Sequence, residues 1–322
     1  MDIVTRGLEK TFVYIDDVVV YSDTIDEHRR DLIALLQRFD EYGLVVNVAK
    51  CEIARPSICF LGLEVSEFGY RPAEAVKPKL EGYPIPKEKK DIQKFLGVLN
   101  YYRSHIPNFA ETAKPLYALL PKGVKFLWTD EHQQSFDRLR ELCQERITLS
   151  PLVEGKPFTL YTDASSVACG AVLLQEDNII EFYSRKFSPT EQRYSTHERE
   201  TLALVTAVLH FRNMLIGRKF TVYTDHKPLL HWLGRPPVNE RHARWLVRLQ
   251  DMQFDVKYIE GAMNVLADLM SRPAGVQRSA LKEVTRATVN AISLKGFEDE
   301  IRKFQTPDFI EACKIPEEHL DC

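Results

Sequence analysis

The 322-residue sequence holds no run of about 18 consecutive apolar residues, so no helix is expected to span a membrane. Nothing at the N-terminus reads as the apolar core of a secretory leader. The six cysteines (Cys51, Cys59, Cys143, Cys169, Cys313 and Cys322) have no C-x-x-C spacing and no histidine ligands nearby. That excludes an evident zinc site or disulfide frame and suits reduced thiols in an intracellular chain, cytoplasmic or nuclear. Net charge is also scarce, at −3, so any nucleic-acid surface must be local. Residues 71–130 are the exception, with eleven lysines and arginines against six acids. An apolar content of 44% with 28% charged residues is ordinary for globular protein, and the length fits two or three small domains.

What is present begins with Tyr14-Ile15-Asp16-Asp17. Apolar β-formers flank the two acids, Phe12–Ile15 before and Val18–Tyr21 after, so residues 12–22 read as a hairpin with carboxylates at its tip. Crowded carboxylates are costly unless something neutralises them, and a metal ion does so. The spacing of Leu32, Leu35, Leu36 and Phe39 predicts a helix over Glu27–Tyr42, with Gly43 as its C-cap. Short strands are expected near Val45–Val48 and over Cys59–Val65, with a turn at Gly69. The Pro- and Lys-rich stretch Lys77–Lys90 looks like a boundary. Helices are expected near Lys90–Tyr102 and Phe109–Leu120, then a third that Asp130 and Gln133 would cap and that ends near Glu145.

From Lys156 the pattern changes. Phe158–Asp163 and Phe220–Asp225 are spelled almost alike, and both read as strands ending on an aspartate. The order predicted over 156–272 is β-β-β-α-β-α-α-β-α, a mixed α/β domain. If the two similar strands are parallel neighbours, Asp163 and Asp225 come within metal-bridging reach. Glu200 on the helix and Asp268 near the end would complete a four-acid cluster. Such a cluster repels itself unless cations enter it. Two Mg²⁺ ions would relieve the repulsion and support phosphodiester hydrolysis, with Mn²⁺ the other ion suited to the site. Taken singly, an aspartate at a strand end is more often a turn former or a helix cap. A helical wheel does not separate Glu200 from Glu198, since both fall on apolar arcs.

The ordered motifs carry a resemblance. Tyr14–Asp17, Asn47…Lys50-Cys51, Phe60-Leu61-Gly62, Phe95-Leu96-Gly97 and Asn100–Arg103 resemble the later palm and thumb of a gypsy-type LTR-retrotransposon reverse transcriptase. Thr162–Ser165, Gly170–Gln175, Tyr194…Glu198…Glu200, Thr224–Leu229 and Ala267-Asp268…Ser271-Arg272 resemble the ribonuclease H domain joined to it. The resemblance covers about residues 1–272. It implies an α/β (α+β) chain: the C-terminal part of the palm over 1–75, a helical thumb over 76–152, a ribonuclease H-like mixed-sheet domain over 156–272, and a linker or tail over 273–322.

Residue by residue, the resemblance implies metal ligation by Asp163, Glu200, Asp225 and Asp268, with Glu200 chosen over Glu198. Asp16 would be a polymerase metal ligand, with Asp17 beside it in a lesser role. Tyr258 resembles the position of an auxiliary His or Tyr in related ribonucleases H. Lys89, Lys90, Lys94 and Arg103 would track a template–primer backbone; Arg241, Arg244 and Arg248, at i, i+3 and i+7, could contact a hybrid. Only Asp2 and Glu9 are acidic before Tyr14, so the third polymerase ligand and the fingers are expected to come from upstream sequence. The activity expected of the chain is therefore hydrolysis of RNA in RNA–DNA hybrids, with polymerisation doubtful for the chain alone. The partners implied are the hybrid, a template–primer, and other Pol segments such as the upstream palm and fingers and the downstream integrase. A decayed or domesticated nucleic-acid-binding scaffold is the alternative.

Overall fold

The computed structural model describes residues 1–47, 50–234, 236–237 and 239–260. The chain divides into two compact units, Met1–Ile58 and a larger one beginning at Cys59.

In the first unit, β1 (Thr11–Tyr14) and β2 (Asp17–Val20) pair antiparallel with Tyr14 opposite Asp17. Ile15 and Asp16 form a two-residue turn. Ile15 holds φ 56°, unusual for a β-branched residue. The helix α1 (Ile25–Glu41) starts where the Thr24 side chain accepts from the Glu27 N–H at 3.3 Å, with Asp26 and Glu27 suited to the positive end of its dipole. It stops before Gly43 in the left-handed region, φ +66°. Leu35 and Phe39 face inward against Val4, with Val18 and Val20 of β2 packed beside them. The strand expected near Val45 does not form. Residues 44–47 are irregular and Val45 is 97% exposed, an apolar alternation without a ladder partner. Val48 lies outside the described residues.

The three-stranded sheet β3 (Ser57–Phe60), β4 (Leu63–Ser66) and β5 (Gly69–Pro72) replaces the single strand expected over Cys59–Val65. Leu61 and Gly62, at φ 50° and 78°, turn the chain there. Gly69 has φ +129°, and a Cβ on it would lie 2.0 Å from the Leu149 carbonyl oxygen. Its absence lets Tyr70 and Leu149 exchange two backbone hydrogen bonds of 2.9 Å.

Five helices come next: α2 (Val76–Glu81), α3 (Lys89–Tyr101), α4 (Phe109–Thr112), α5 (Lys114–Ala118) and α6 (Asp130–Gln144). The helix expected over Phe109–Leu120 is broken in two, and Pro115, which has no N–H to donate, sits in the first turn of α5. Thr129 with His132, rather than Asp130 with Gln133, caps α6. Gln133 instead accepts from the Trp128 indole at 3.0 Å and donates to Asp137 at 2.8 Å. Ile92, Phe95 and Leu99 of α3 pack on Phe136 and Leu139 of α6, with the Phe95 and Phe136 rings 4.5 Å apart. Most of the Lys77–Lys90 stretch is exposed, but Leu80 within it is buried, and Arg140 donates to the Leu80 carbonyl at 2.7 Å.

The large sheet contains β6 (Phe158–Ala164), β7 (Ala168–Gln175), β8 (Asn178–Lys186), β9 (Lys219–Thr224) and β10 (Gln253–Tyr258), in the order β10-β9-β6-β7-β8. β6 and β9 are parallel neighbours, while β6, β7 and β8 pair antiparallel. The helix α7 (Thr196–His210) covers one face with Leu204, Val205 and Val208; α8 (Arg212–Leu215) and α9 (Glu240–Leu249) complete that layer. Ile147 and Leu149 cover the other face over Val172, Leu174 and Phe182. β7 is therefore buried along its whole length and reads as a continuous apolar run up to Leu174, with buried Gln175 at its end. Arg103 donates to the Ser184 carbonyl, and the Ala110 N–H donates to the Ser184 hydroxyl at 3.1 Å. These bonds fix the helical segment to β8.

Candidate active site

The site sits where β6 and β9 end. Their register pairs Phe158 with Phe220 and Tyr161 with Tyr223, so Asp163 and Asp225 stand at equivalent steps along two parallel neighbours. Asp163 is opposite Gly170 of β7, which places no side chain there. Asp225 is the first residue beyond β9. Glu200 comes from the first turns of α7. The start of that helix is set by Ser195, whose hydroxyl accepts from the Glu198 N–H at 3.3 Å while the Glu198 carboxylate accepts from the Ser195 N–H at 3.1 Å. Glu198 also holds Arg241 at 2.6 Å. The two glutamates that the helical wheel left unresolved thus do different things: Glu198 caps the helix and Glu200 enters the acid cluster.

Asp163, Glu200 and Asp225 each offer a carboxylate oxygen within 4.8 Å of the other two. Among the described residues this is the one group of three or more potential metal-ligating side chains that converges so closely. Asp163 and Glu200 are buried and Asp225 is half-buried. Burial, reinforced by the charges of Asp163 and then Asp225, pushes the Glu200 carboxyl up to about 9, against a hydrogen bond from the Ala164 N–H. Glu200 Oε2 is buried without a hydrogen-bond partner. An orphaned oxygen in an all-carboxylate cluster is what a hard divalent cation such as Mg²⁺ or Mn²⁺ satisfies.

Two histidines are linked beside this cluster in the chain: His226 follows Asp225, and His197 is one helical turn before Glu200. His197 Nδ1 and His226 Nε2 lie 3.2 Å apart. Burial, then the neighbouring His226 and His242, lowers the His197 pKa; burial lowers that of His226. Buried His242 stacks on Trp245 with ring centroids 5.2 Å apart. His226 falls within the Thr224–Leu229 motif, whereas for His197 and His242 the sequence carries no signal that joins them to it.

Asp268 is outside the described residues. Asp16 and Asp17 are exposed at the β1–β2 tip, and no group of three ligating side chains among the described residues includes them. Arg103, besides its bond to Ser184, lies 5.2 Å from the Phe109 ring centroid. Lys89 donates to the Pro121 carbonyl at 2.6 Å. Lys90 is exposed, as is Lys94, which lies 3.8 Å from Asp91. Arg241 pairs with Glu198 and covers the Tyr194 ring at 3.9 Å, whereas Arg244 and Arg248 are exposed. The Lys227 ammonium stands 4.8 Å from the Tyr258 ring centroid.

A mixed five-stranded sheet with acids converging where its parallel strands β6 and β9 end is a ribonuclease H-like architecture. Residues 154–252 match the family described as the RNase H-like domain found in reverse transcriptase, and residues 1–65 match the reverse transcriptase (RNA-dependent DNA polymerase) family. The chain is 38% identical over 264 residues to the retrovirus-related Pol polyprotein from transposon 297 of Drosophila melanogaster, across 81% of this chain and 25% of that protein. It is 30% identical over 311 residues to the transposon Tf2-3 polyprotein of Schizosaccharomyces pombe, across 94% of this chain and 23% of that one. The fold matches foamy viral protease-reverse transcriptase in complex with dsDNA, with TM-score 0.72 and 23% identity over 81% of this chain and 56% of that one. It also matches the foamy viral enzyme in complex with an RNA/DNA hybrid, with TM-score 0.71 and 23% identity over 86% of this chain and 38% of that one.

The chain belongs to the retrotransposon Pol polyprotein family, in its reverse transcriptase and ribonuclease H-like region. It spans about a quarter of the length of the curated relatives it matches. No helix among the described residues is long and apolar enough to cross a membrane.

Proposed function

We propose that this chain hydrolyses the RNA strand of RNA–DNA hybrids at the Asp163–Glu200–Asp225 cluster, with Asp268 as the fourth acid. The observation that carries the reading is the convergence of three carboxylates, two of them buried, with one oxygen left unpartnered. Paired divalent cations at such a cluster, when bound, activate water and stabilise the leaving 3′-oxygen. Asp163 and Asp225, fixed by two neighbouring strands, would hold them from one side, and Glu200 from the helix. Burial and the neighbouring acids raise the Glu200 carboxyl to about 9, so its ligation of a cation would require loss of that proton. Water attack on phosphorus with loss of the 3′-oxygen leaves a 5′-phosphate on one product and a 3′-hydroxyl on the other.

In this reading residues 76–152 are the thumb and 156–272 the nuclease domain. The foamy viral enzymes of the same fold were captured with duplex DNA and with an RNA/DNA hybrid, which supports a duplex substrate here. Exposed Lys90, Lys94, Arg244 and Arg248 supply sequence-independent phosphate contacts. Lys89, Arg103 and Arg241 hold the protein together first, and their contribution to binding is secondary. Asp16 and Asp17 belong to the polymerase function of the parent polyprotein, which would need a further acid beside them.

The test is incubation of the full chain and Mg²⁺ with end-labelled RNA, free or annealed to DNA. Cleavage of the annealed RNA alone, giving 5′-phosphate and 3′-hydroxyl ends, is expected. Equal cleavage of free RNA, or none by folded protein, would overturn the proposal.

A further inference from the structure

The last ladder contacts of β9 are Tyr161–Tyr223 on one side and Tyr258–Thr224 on the other. Asp225 lies one residue past them: the Ile259 N–H still bonds the Thr224 carbonyl at 3.0 Å and holds the peptide before Asp225, while the other side depends on the chain immediately after it. The His226 N–H bonds the Thr224 hydroxyl at 3.2 Å, a local turn contact. The His226 side chain reaches further, to His197 Nδ1 at 3.2 Å. His197 is in the first turn of α7, and its carbonyl accepts from the Thr201 hydroxyl at 2.8 Å. His197 and His242 pack edge-on at an interplanar angle of 64°, with ring centroids 5.9 Å apart. His242 is buried between Trp245 and Trp232, so the imidazole contact has a rigid backing.

We infer that the His197–His226 hydrogen bond is a brace that sets the distance between the Asp225 and Glu200 carboxylates. The carboxylates that converge within 4.8 Å of one another include neither imidazole in their group; each imidazole acts through the backbone it anchors, and both are positioning residues. The bond joins the segment carrying Asp225 to the helix carrying Glu200, elements that meet nowhere in the sheet ladder. It needs one nitrogen as donor and the other as acceptor, which two neutral rings supply. Partners of this kind around a metal site are worth about 10- to 100-fold in metal affinity or activity.

The inference rests on the proposed metal role of the acids, and its test separates the two. Mn²⁺ binding to the full chain is measured by calorimetry, and the Mg²⁺ concentration for half-maximal hybrid cleavage is measured alongside. His197→Ala and His226→Ala are expected to weaken Mn²⁺ binding and raise the Mg²⁺ requirement by about 10- to 100-fold. His197→Asn places a polar atom where Nδ1 was, and His226→Gln does so for Nε2; both are expected to restore most of the loss. A merely structural role would not show that rescue. Should an alanine variant fail to fold, His226→Gln against His226→Leu decides, since the two fill similar space with and without polar atoms. Unchanged Mn²⁺ binding in the alanine variants, or glutamine no better than leucine, would overturn the brace. Wild-type protein that binds Mn²⁺ but leaves the hybrid intact would overturn the nuclease reading, and the binding shifts would still judge the brace.

Discussion

Replacing Glu200 with glutamine is expected to stabilise the cation-free protein while destroying its proposed activity. The carboxyl is buried beside Asp163 and Asp225, and its pKa rises from 4.5 unfolded to about 9 folded. A raised folded pKa means that the native state favours the protonated acid. The stability this contributes is complete below about pH 4.5 and is lost as pH climbs toward 9. At pH 7 the unfolded group is ionised and the folded group is not. That gap of about 2.5 pH units corresponds to roughly 3 kcal/mol. Glutamine keeps the shape and the acceptor for the Ala164 N–H but has no proton to lose, so it removes the penalty. For a unit of this size, roughly 3 kcal/mol raises the melting temperature by about 6–12 °C. The assay is thermal unfolding with chelator at pH 5, 7 and 8.5, comparing Glu200→Gln with wild type. The advantage of the variant should be about 1 kcal/mol at pH 5 and grow with pH. With saturating Mg²⁺ it should shrink, because the cation stabilises only the wild-type cluster; at 100 times its dissociation constant that is worth about 2.7 kcal/mol. A variant no more stable than wild type at pH 7, or a difference independent of pH, would refute the desolvated, crowded acid on which the metal argument depends.

Gly69→Ala should destabilise by more than about 1 kcal/mol in denaturant titration, since the new Cβ collides with the Leu149 carbonyl at a φ that favours glycine. Arg103→Ala should cost about 1.5–3 kcal/mol by losing a charged donor to the Ser184 carbonyl, measured by the same titration. A double-mutant cycle on Glu198 and Arg241 should give a coupling of about 0.5–1 kcal/mol that falls with added salt. Primer extension by the full chain should be absent under conditions where hybrid cleavage is readily detected.

The legibility of the fold varied with how much of the signal was local. Phe158–Asp163 and Phe220–Asp225 were readable as twin strands because alternation and a terminal acid are written in the residues themselves. That they are parallel neighbours depends on the crossover through α7, yet similar spelling was enough to raise the idea. Val45 shows the reverse case: an apolar run without a partner is not a strand. Cys59–Val65 reads as one strand in the sequence because the Leu61-Gly62 turn is hidden among β-formers, and only Gly62 marks it. Glu198 and Glu200 could not be separated by periodicity, since both fall on apolar arcs. The distinction comes from the capping box and Arg241, more than forty residues away in the chain. The histidine brace was invisible for the same reason, as it joins segments 29 residues apart through two side chains.

The most direct measurement of the central claim is single-turnover cleavage of a labelled RNA–DNA hybrid by wild type and by Asp225→Asn, with Mg²⁺ and with chelator. The account predicts cleavage by wild type only when Mg²⁺ is present, and a loss of at least about 100-fold in the variant, as expected for removing a metal ligand. Equal cleavage by a folded Asp225→Asn protein, or undiminished cleavage in chelator, would contradict it.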